Sequence, residues 1–491
     1  MNSAIPTSEP SAIASGVERS AINLAELEAS GRMPLFVLFA SAALWLVIGS
    51  IFGIIASIKF HQPAFMADTA WLTYGRIRPA YTNSLLYGFC MPAGLGVALW
   101  VFARLGRAFI AQPILLAFGA AFWNFGVTVG ILGILAGDST GYETLEMPRY
   151  ATPILFLAYM IMGVWALVTF HRRRYLPLFV SQWFLLAALF WFPWIYTTGT
   201  LLLEYLPVRG VAQPIIAWWY SANLQTVWLG LVGLGVIFYF VPKLSGRDLH
   251  SYYLALFTFW FLLFFGSFTG IPATAPIPAW VPALSSSATM LLLIPLIAFA
   301  LNMFGTLNCV FPDWSAHISL RFVWFAAVAF VVSVLMILFS SFAPVGDLAN
   351  LTWFTVARTH VQVYGFFAIA MFGAIYYILP RVAGIEFLWP KLIGVHFWLA
   401  TIGIVLIVLP LGIGGIIQGL EMRKASIPFL DILRTTLMFL RISTLGDLML
   451  FAGHVIFLLN ILGLLRSFFQ TRATAAYRMM TAEVKPSEVA L

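Results

Sequence analysis

The stretch WFTVARTHVQVYGFFAIAMFGAIYYIL, residues 353–379, decides the fold of this chain. It is apolar over almost its whole length, and its one formally charged residue is Arg358. A helix of about 20 apolar residues crosses the roughly 30 Å of hydrocarbon in a bilayer, whereas a barrel strand needs only about 10. The stretch therefore predicts a membrane-spanning helix with a cation inside it.

Similar apolar stretches recur along the chain and predict a membrane protein. The composition agrees with this prediction, because 62% of the residues are hydrophobic and only 9% are charged. A protein whose surface is in contact with water needs a larger charged fraction. The predicted spans are 33–57, 81–103, 112–136, 151–170, 176–203, 213–241, 251–270, 286–310, 320–343, 353–379, 392–418 and 445–465. We therefore predict an all-α integral membrane protein, a twelve-transmembrane-helix bundle. Its expected divisions are a polar segment 1–32, one membrane domain 33–467 and a polar tail 468–491.

The basic residues indicate the orientation of the bundle. The predicted termini and even-numbered connections hold 16 of the 26 Lys and Arg residues. Positive residues favour the cytoplasmic side of a membrane, so we expect both termini in the cytoplasm. Anionic membrane lipid accounts for the net charge of +8, so no nucleic acid partner is expected.

Six short motifs lie in or next to these spans. They are 74–83 (YGRIRPAYTN), 218–223 (WWYSAN), 239–247 (YFVPKLSGR), 372–384 (FGAIYYILPRVAG), 396–398 (HFW) and 415–419 (GIIQG). In order and spacing they resemble the catalytic subunit I of the heme–copper oxidase superfamily, closest to the cbb3 type and next to the large subunit of the nitric oxide reductases. The resemblance runs over residues 33–467 and implies the twelve-helix subunit I bundle, in the inner membrane of a bacterium.

The resemblance also implies six histidine ligands, and five of them are absent. The two ligands of the low-spin heme fall on Tyr81 and His360, and only His360 is a histidine. The ligand of the high-spin heme falls on Arg358, which has no lone pair to offer iron. The copper ligands fall on Ala222 and within 270–275, where no histidine occurs. The resemblance therefore implies a subunit whose oxygen-reducing centre has been lost.

Each remaining candidate residue has two interpretations. His360 either ligates a heme or is a neutral imidazole hydrogen-bonded to a neighbouring helix, and Tyr81 either completes a His/Tyr ligand pair or fills a vacated pocket. Arg358 either holds a heme propionate, an anionic substrate or a carboxylate of a partner, or it fills the space of the missing heme. Arg76, Arg78 and Arg381 match basic positions of the motifs, and either face propionates or a partner or anchor the helices at the interface.

Three functions follow, in order of preference. The first is a degenerate cbb3-type subunit I homologue, a structural or electron-transfer member of a respiratory complex with one b-type heme at most and no copper. Its expected partners are membrane lipid, a c-type cytochrome subunit and other subunits of the complex. The second is an active terminal oxidase or nitric oxide reductase with unusual ligands. The third is an anion transporter that reuses the bundle, with Arg358 as its binding residue.

Overall fold

The structure, a computed structural model, describes residues 23–174, 177–273, 275–307 and 317–482. The predicted segments 1–32 and 468–491 fall partly on residues 1–22 and 483–491, which lie outside the described residues. Within these ranges the regular elements are all helices. The all-α prediction is therefore confirmed.

Twelve apolar helices form the bundle in the described ranges. They are α1 Arg32–His61, α2 Tyr74–Gly106, α3 Pro113–Ala136, α4 Thr152–His171, α5 Val180–Tyr205, α6 Ala212–Ser245, α7 Tyr252–Gly266, α8 Trp280–Thr306, α9 Ile318–Ser341, α10 Trp353–Ala383, α11 Pro390–Met422 and α12 Phe429–Ala482. Eleven are long and apolar enough to cross a membrane, and α7 is a shorter apolar helix. The helices agree with the predicted spans in number and order.

The last helix is much longer than predicted. It begins at Phe429, inside the predicted connection 419–444, and continues to Ala482, inside the predicted polar tail. The span was predicted from a run of apolar residues, which identifies only the part of a helix that lies in lipid. A helix can continue beyond the membrane, where water hydrates its polar side chains. Arg434, for example, pairs with Asp431 three residues earlier at 3.0 Å. The boundary at 467/468 is therefore not the end of a helix.

Three helices occupy the centre of the bundle. The apolar parts of α2, α6 and α10 are almost wholly buried, whereas the other long spans leave about half of theirs exposed. Helices that are apolar on every side belong in the interior, and small residues let them approach one another. A Cβ at Gly233 of α6 would overlap the ring of Phe366 of α10. These three helices carry Tyr81, Ala222, Arg358 and His360.

Each central helix widens into a π-helical segment at the level of those positions. The segments are Ser84–Cys90 in α2, Asn223–Trp228 in α6 and Val361–Ala368 in α10. They begin three residues after Tyr81 and directly after Ala222 and His360. Such segments inside α-helices are frequent at functional sites. The distortion therefore follows the candidate positions closely on all three helices.

The motif 415–419 fixes the start of α10. The side-chain Oε1 of Gln418 accepts a hydrogen bond from the backbone N–H of Trp353 at 3.1 Å, and Thr352 caps Phe354 at 3.3 Å. A Cβ at Gly415 would overlap the backbone nitrogen of Phe354 and lie 2.8 Å from its Cα. The motif therefore sets the position of the helix that carries Arg358 and His360.

We expect the substitution Gly415→Ala to destabilise the protein, because the added methyl group meets backbone atoms that cannot rotate away. Overpacking of this kind costs about 1–3 kcal/mol. Gly412 lies on the same helix, and a methyl group added there would have no neighbour within 4 Å, so Gly412→Ala is the matched control. Thermal unfolding in detergent should show a lower midpoint for Gly415→Ala and an unchanged or higher one for Gly412→Ala. Equal midpoints would contradict the close contact.

Candidate functional site

Tyr81 of α2 and His360 of α10 face each other in the interior. Their rings lie at 24° to one another, and the Tyr81 hydroxyl is 3.3 Å from Nε2 of His360. Nδ1 of His360 is 2.7 Å from the carbonyl oxygen of Val356, which can only accept a hydrogen bond. Nδ1 therefore carries the proton, and Nε2 accepts from the Tyr81 hydroxyl. Both nitrogens of this buried imidazole have partners within the protein.

The contact leaves no room for an iron atom between the two side chains. Bonds from first-row metals to imidazole nitrogen are about 2 Å long, so two ligands on opposite sides of an iron stand about 4 Å apart. The 3.3 Å separation is a hydrogen bond instead, and it uses the lone pair of Nε2 that would bind the iron. As they are placed, Tyr81 and His360 do not fit a heme held between them.

The implied copper-ligand positions also meet. Gly270 follows α7 with a φ of +107°, a backbone conformation that favours glycine, and a Cβ there would overlap the Cβ of Ala222. Two hydrogen bonds join α6 to the end of α7: Trp219 and Asn223 donate to the carbonyl oxygen of Ser267 at 3.1 and 3.2 Å. The fold therefore brings these positions together, but with side chains that hold no metal.

A cavity of about 850 Å³ lies beside this contact. Ala222, Gly270 and Arg358 all line it, and it reaches the exposed residues Glu143 and Leu351. Three odd-numbered connections, 137–151, 267–279 and 342–352, contribute residues to its wall. The cavity therefore opens at the face opposite to the described ends of the chain, Asn23 and Ala482.

The cavity wall does not fit copper or a high-spin heme. None of the described residues that line it is a histidine, cysteine or methionine. Across the described ranges, no three His, Cys, Asp or Glu side chains come together as a metal site. Copper in proteins is held by imidazole or by sulfur ligands, and the high-spin iron needs an axial donor. Arg358 stands where that donor is implied, and a guanidinium cannot supply it.

Arg358 lies on the cavity wall. It follows Trp353, the first residue of α10, by five residues, which is about 8 Å along the helix axis. Its Nη1 donates a hydrogen bond of 2.8 Å to the hydroxyl of Ser340 on α9. The ion pairs within the described ranges are Arg104–Glu28, Lys424–Glu421 and Arg434–Asp431, so Arg358 is in none of them. Glu143 attracts it from beyond ion-pair distance. Arg358 is therefore a cation that faces the cavity. Within the described part of the chain, most of its N–H groups have no hydrogen-bond partner.

The other basic candidates divide between the two faces. Arg78 lines the cavity, and its guanidinium lies 5.4 Å from the centre of the Tyr81 ring. Arg76 donates to the carbonyl oxygen of Leu135 at the end of α3, at 3.1 Å. Arg381 lies near the other end of α10, about 35 Å from Arg358 along the helix axis, and stacks on Tyr377. The structure therefore brings Arg78 and Arg358 to one cavity and leaves Arg381 apart.

The two remaining histidines of the spans lie on α11 and α12, away from the cavity wall. The Tyr376 hydroxyl is 2.9 Å from Nδ1 of His396, and the Ser50 hydroxyl is 2.7 Å from Nδ1 of His454. Both imidazoles are fully buried among aromatic rings. We interpret them as packing residues that join neighbouring helices.

Two acidic residues near the site were missed from the sequence. Asp447 of α12 interacts with Ser57 of α1 and attracts Arg78 of α2 electrostatically. Glu146 lies in the connection between α3 and α4, and its Oε2 accepts a 2.7 Å hydrogen bond from the side-chain amide of Asn83 on α2. No motif marks either residue, because both act through residues that are distant in sequence.

Burial raises the pKa of Glu146 to about 7, and the bond from Asn83 offsets only part of this rise. In the unfolded chain the carboxyl group ionises near pH 4.5, whereas in the folded protein it stays protonated up to about pH 7. The folded state is therefore favoured at low pH and loses this advantage as the pH rises through that interval. The loss amounts to about 3 kcal/mol in total.

We expect the unfolding midpoint of the wild type to fall, relative to that of Glu146→Gln, as the pH rises from 5 to 8. The amide of the Glu146→Gln variant cannot ionise, so the unfolding midpoint of this variant lacks the pH dependence that Glu146 contributes. Glu143→Gln is the control, because Glu143 is exposed in the same connection. Thermal unfolding in detergent at several pH values measures the difference. Parallel curves for wild type and Glu146→Gln would contradict the raised pKa.

Comparison with known proteins identifies the class that this fold and site define. The profile of the family described as "Cytochrome C and Quinol oxidase polypeptide I" matches residues 34–449, most of the chain. The chain belongs to this family of membrane proteins, the heme–copper oxidase subunit I family, whose members carry heme cofactors. The resemblance stated from the motifs is therefore confirmed.

The relatives point to one branch of the family. A "Cytochrome c oxidase subunit 1 homolog, bacteroid" from Bradyrhizobium diazoefficiens is 27% identical over 403 residues, 79% of this chain and 73% of the relative. A "Cbb3-type cytochrome c oxidase subunit" from Stutzerimonas stutzeri is 26% identical over 389 residues, 77% and 82% of the two chains. A nitric oxide reductase subunit of the same organism is 24% identical over 323 residues, 64% and 59%.

A solved structure has the same fold. It comes from a cryo-EM study of a heme–copper terminal oxidase dimer and superimposes with a TM-score of 0.66 at 15% identity. The match covers 88% of this chain and 84% of the other. By its family and its relatives the chain is homologous to cbb3-type subunit I. The positions implied for metal ligands hold Tyr81, Ala222, Arg358, the stretch 270–275 and, as the one histidine, His360.

Proposed function

We propose that this chain is a subunit I homologue without an oxygen-reducing centre, and that it serves a respiratory complex of the bacterial cytoplasmic membrane. The observation that carries the proposal is the wall of the 850 Å³ cavity, where Arg358, Ala222 and the stretch 270–275 stand at the positions implied for the iron and copper ligands. A guanidinium and a methyl group provide no donor for either metal, and the stretch 270–275 has no histidine or sulfur ligand. The same observation opposes an active oxidase or nitric oxide reductase with unusual ligands.

The proposal allows one b-type heme at most, at His360, and we favour none. A heme there would have to separate Tyr81 from His360 and replace their hydrogen bond with two bonds to iron. The bond between them gives both polar groups a partner in a buried site, where an unpaired one costs about 1–3 kcal/mol. A structural role therefore suits this pair better than electron transfer does.

The partners follow from the class of protein. The relatives are named as subunits of cytochrome c oxidases, so we propose that this chain assembles with a membrane-anchored c-type cytochrome and further subunits. Many large apolar side chains on the outer spans are exposed, such as Ile114, Trp260 and Leu409. Lipid covers most of such a surface, and a neighbouring subunit can replace lipid over part of it. We place both termini in the cytoplasm and the cavity mouth on the outer face.

Purification of the tagged chain from its native membranes tests the assembly. We expect a heme-staining c-type cytochrome to elute with it in a constant ratio, and to be lost from the membrane complex when the gene is deleted. A chain that elutes alone, in a strain whose oxidase complexes assemble normally without it, would contradict a role in a respiratory complex.

A further inference from the structure

We propose that the cavity is a binding site for a small organic carboxylate, with Arg358 as the residue that holds the carboxylate head. This inference goes beyond the proposed function, because a structural subunit can serve a respiratory complex without binding a ligand in this cavity. It is carried by the position of the Arg358 guanidinium, which forms no ion pair among the described residues and lies on the wall of a cavity that opens to water.

The first step concerns charge. Two guanidinium groups, those of Arg78 and Arg358, line the cavity, against the single carboxylate of Glu143. The charge of Arg78 is partly offset by the carboxylate of Asp447 on α12. Arg358 has the hydroxyl of Ser340 as its near partner, and Glu143 acts on it only from a distance. Low-dielectric walls concentrate the field of such a charge, so the cavity favours a monoanion.

The second step concerns geometry. A guanidinium is planar, and its parallel N–H groups match the two oxygens of a carboxylate. With Nη1 held by Ser340 at 2.8 Å, the group is already oriented before a ligand arrives. The neighbouring turns of α10 add Thr355, Thr359 and Gln362 to the same wall. The two threonine hydroxyls donate to the backbone carbonyl oxygens of Thr352 and Thr355, so the side-chain amide of Gln362 is the group on this helix that can donate a further hydrogen bond to an oxyanion beside Arg358.

The third step concerns the body of the ligand. A volume of about 850 Å³ exceeds what a bare inorganic anion fills and lies within the range of sites for small organic molecules. Trp218, Ile271, Pro272 and Ile337 give the cavity an apolar part. A carboxylate with a small apolar body therefore matches the wall better than an anion without one.

The test is the binding of radiolabelled benzoate to the detergent-purified full chain, with displacement by unlabelled benzoate or by benzamide. Benzamide has the same shape without the charge. We expect saturable binding at one site per chain, displaced by benzoate and at least tenfold less effectively by benzamide. Equal displacement by the two compounds, or no saturable binding, would overturn the proposal without the need for any variant.

Variants then locate the site. Arg358→Gln should weaken benzoate binding at least tenfold, because it removes the charge and keeps a polar side chain. Arg381→Gln is the matched control, since Arg381 lies at the other end of the same helix, and it should bind as the wild type does. Unchanged binding in Arg358→Gln, or equal losses in both variants, would overturn the assignment to this cavity.

Discussion

Oxygen uptake by the purified protein, supplied with reduced cytochrome c, is expected to stay at the background of the assay. The reason is the donor set of the cavity, which offers neither iron nor copper a ligand at the implied positions, Arg358, Ala222 and the stretch 270–275. Enzymes commonly turn over at about 10 per second, and we expect less than about one-hundredth of that rate here. A Clark-type oxygen electrode measures it directly.

Two controls make the absence of uptake informative. A cbb3-type oxidase prepared in the same detergent should consume oxygen and stop when cyanide is added. The Arg358→Gln variant should remain as inactive as the wild type, because removing the cation does not create a metal ligand. Cyanide-sensitive uptake by the wild-type chain alone would contradict the loss of the centre.

The second large effect concerns the pair Tyr81–His360. Tyr81→Phe removes the hydroxyl that Nε2 of His360 accepts from, and His360→Ala removes the imidazole that fills a buried site. We expect the first to lower the free energy of unfolding by about 1–3 kcal/mol and the second by about 2–5 kcal/mol. The double variant should lose less than the sum of the two, by about 1 kcal/mol, because the shared hydrogen bond is lost only once.

Thermal or denaturant unfolding of the four proteins, all in one detergent, measures this cycle. Tyr376→Phe is a suitable comparison, since it removes the partner of His396 from a similar buried pair outside the cavity. Strict additivity of Tyr81→Phe and His360→Ala would show that the two side chains do not interact. A b-type heme spectrum lost in His360→Ala would show that the imidazole binds iron instead.

The sequence was enough to predict the membrane fold, because long apolar runs have few alternatives to a spanning helix. It was less informative about where helices end, as α12 shows: residues such as Asp431 and Arg434 pair on the helix surface, although they look like a polar connection. It also could not indicate that α2, α6 and α10 are the central helices. That arrangement depends on contacts between distant residues, such as Gly233 with Phe366.

The candidate site was predictable only as a set of positions. The sequence assigned Tyr81, Ala222, Arg358 and His360 to three different spans, and the structure shows which of them are neighbours. The direct bond between Tyr81 and His360, the contact of Gly270 with Ala222 and the volume of the cavity all depend on how helices pack. Glu146 and Asp447 were missed because their partners, Asn83 and Arg78, lie far away in the chain.

The most direct test of the central claim is a reduced-minus-oxidised visible spectrum of the purified protein, with and without carbon monoxide, together with copper and heme quantification. The proposed loss of the oxygen-reducing centre predicts no copper and no carbon-monoxide-binding heme, since Arg358, Ala222 and the stretch 270–275 offer neither metal a ligand. Two hemes and one copper per chain would contradict the account.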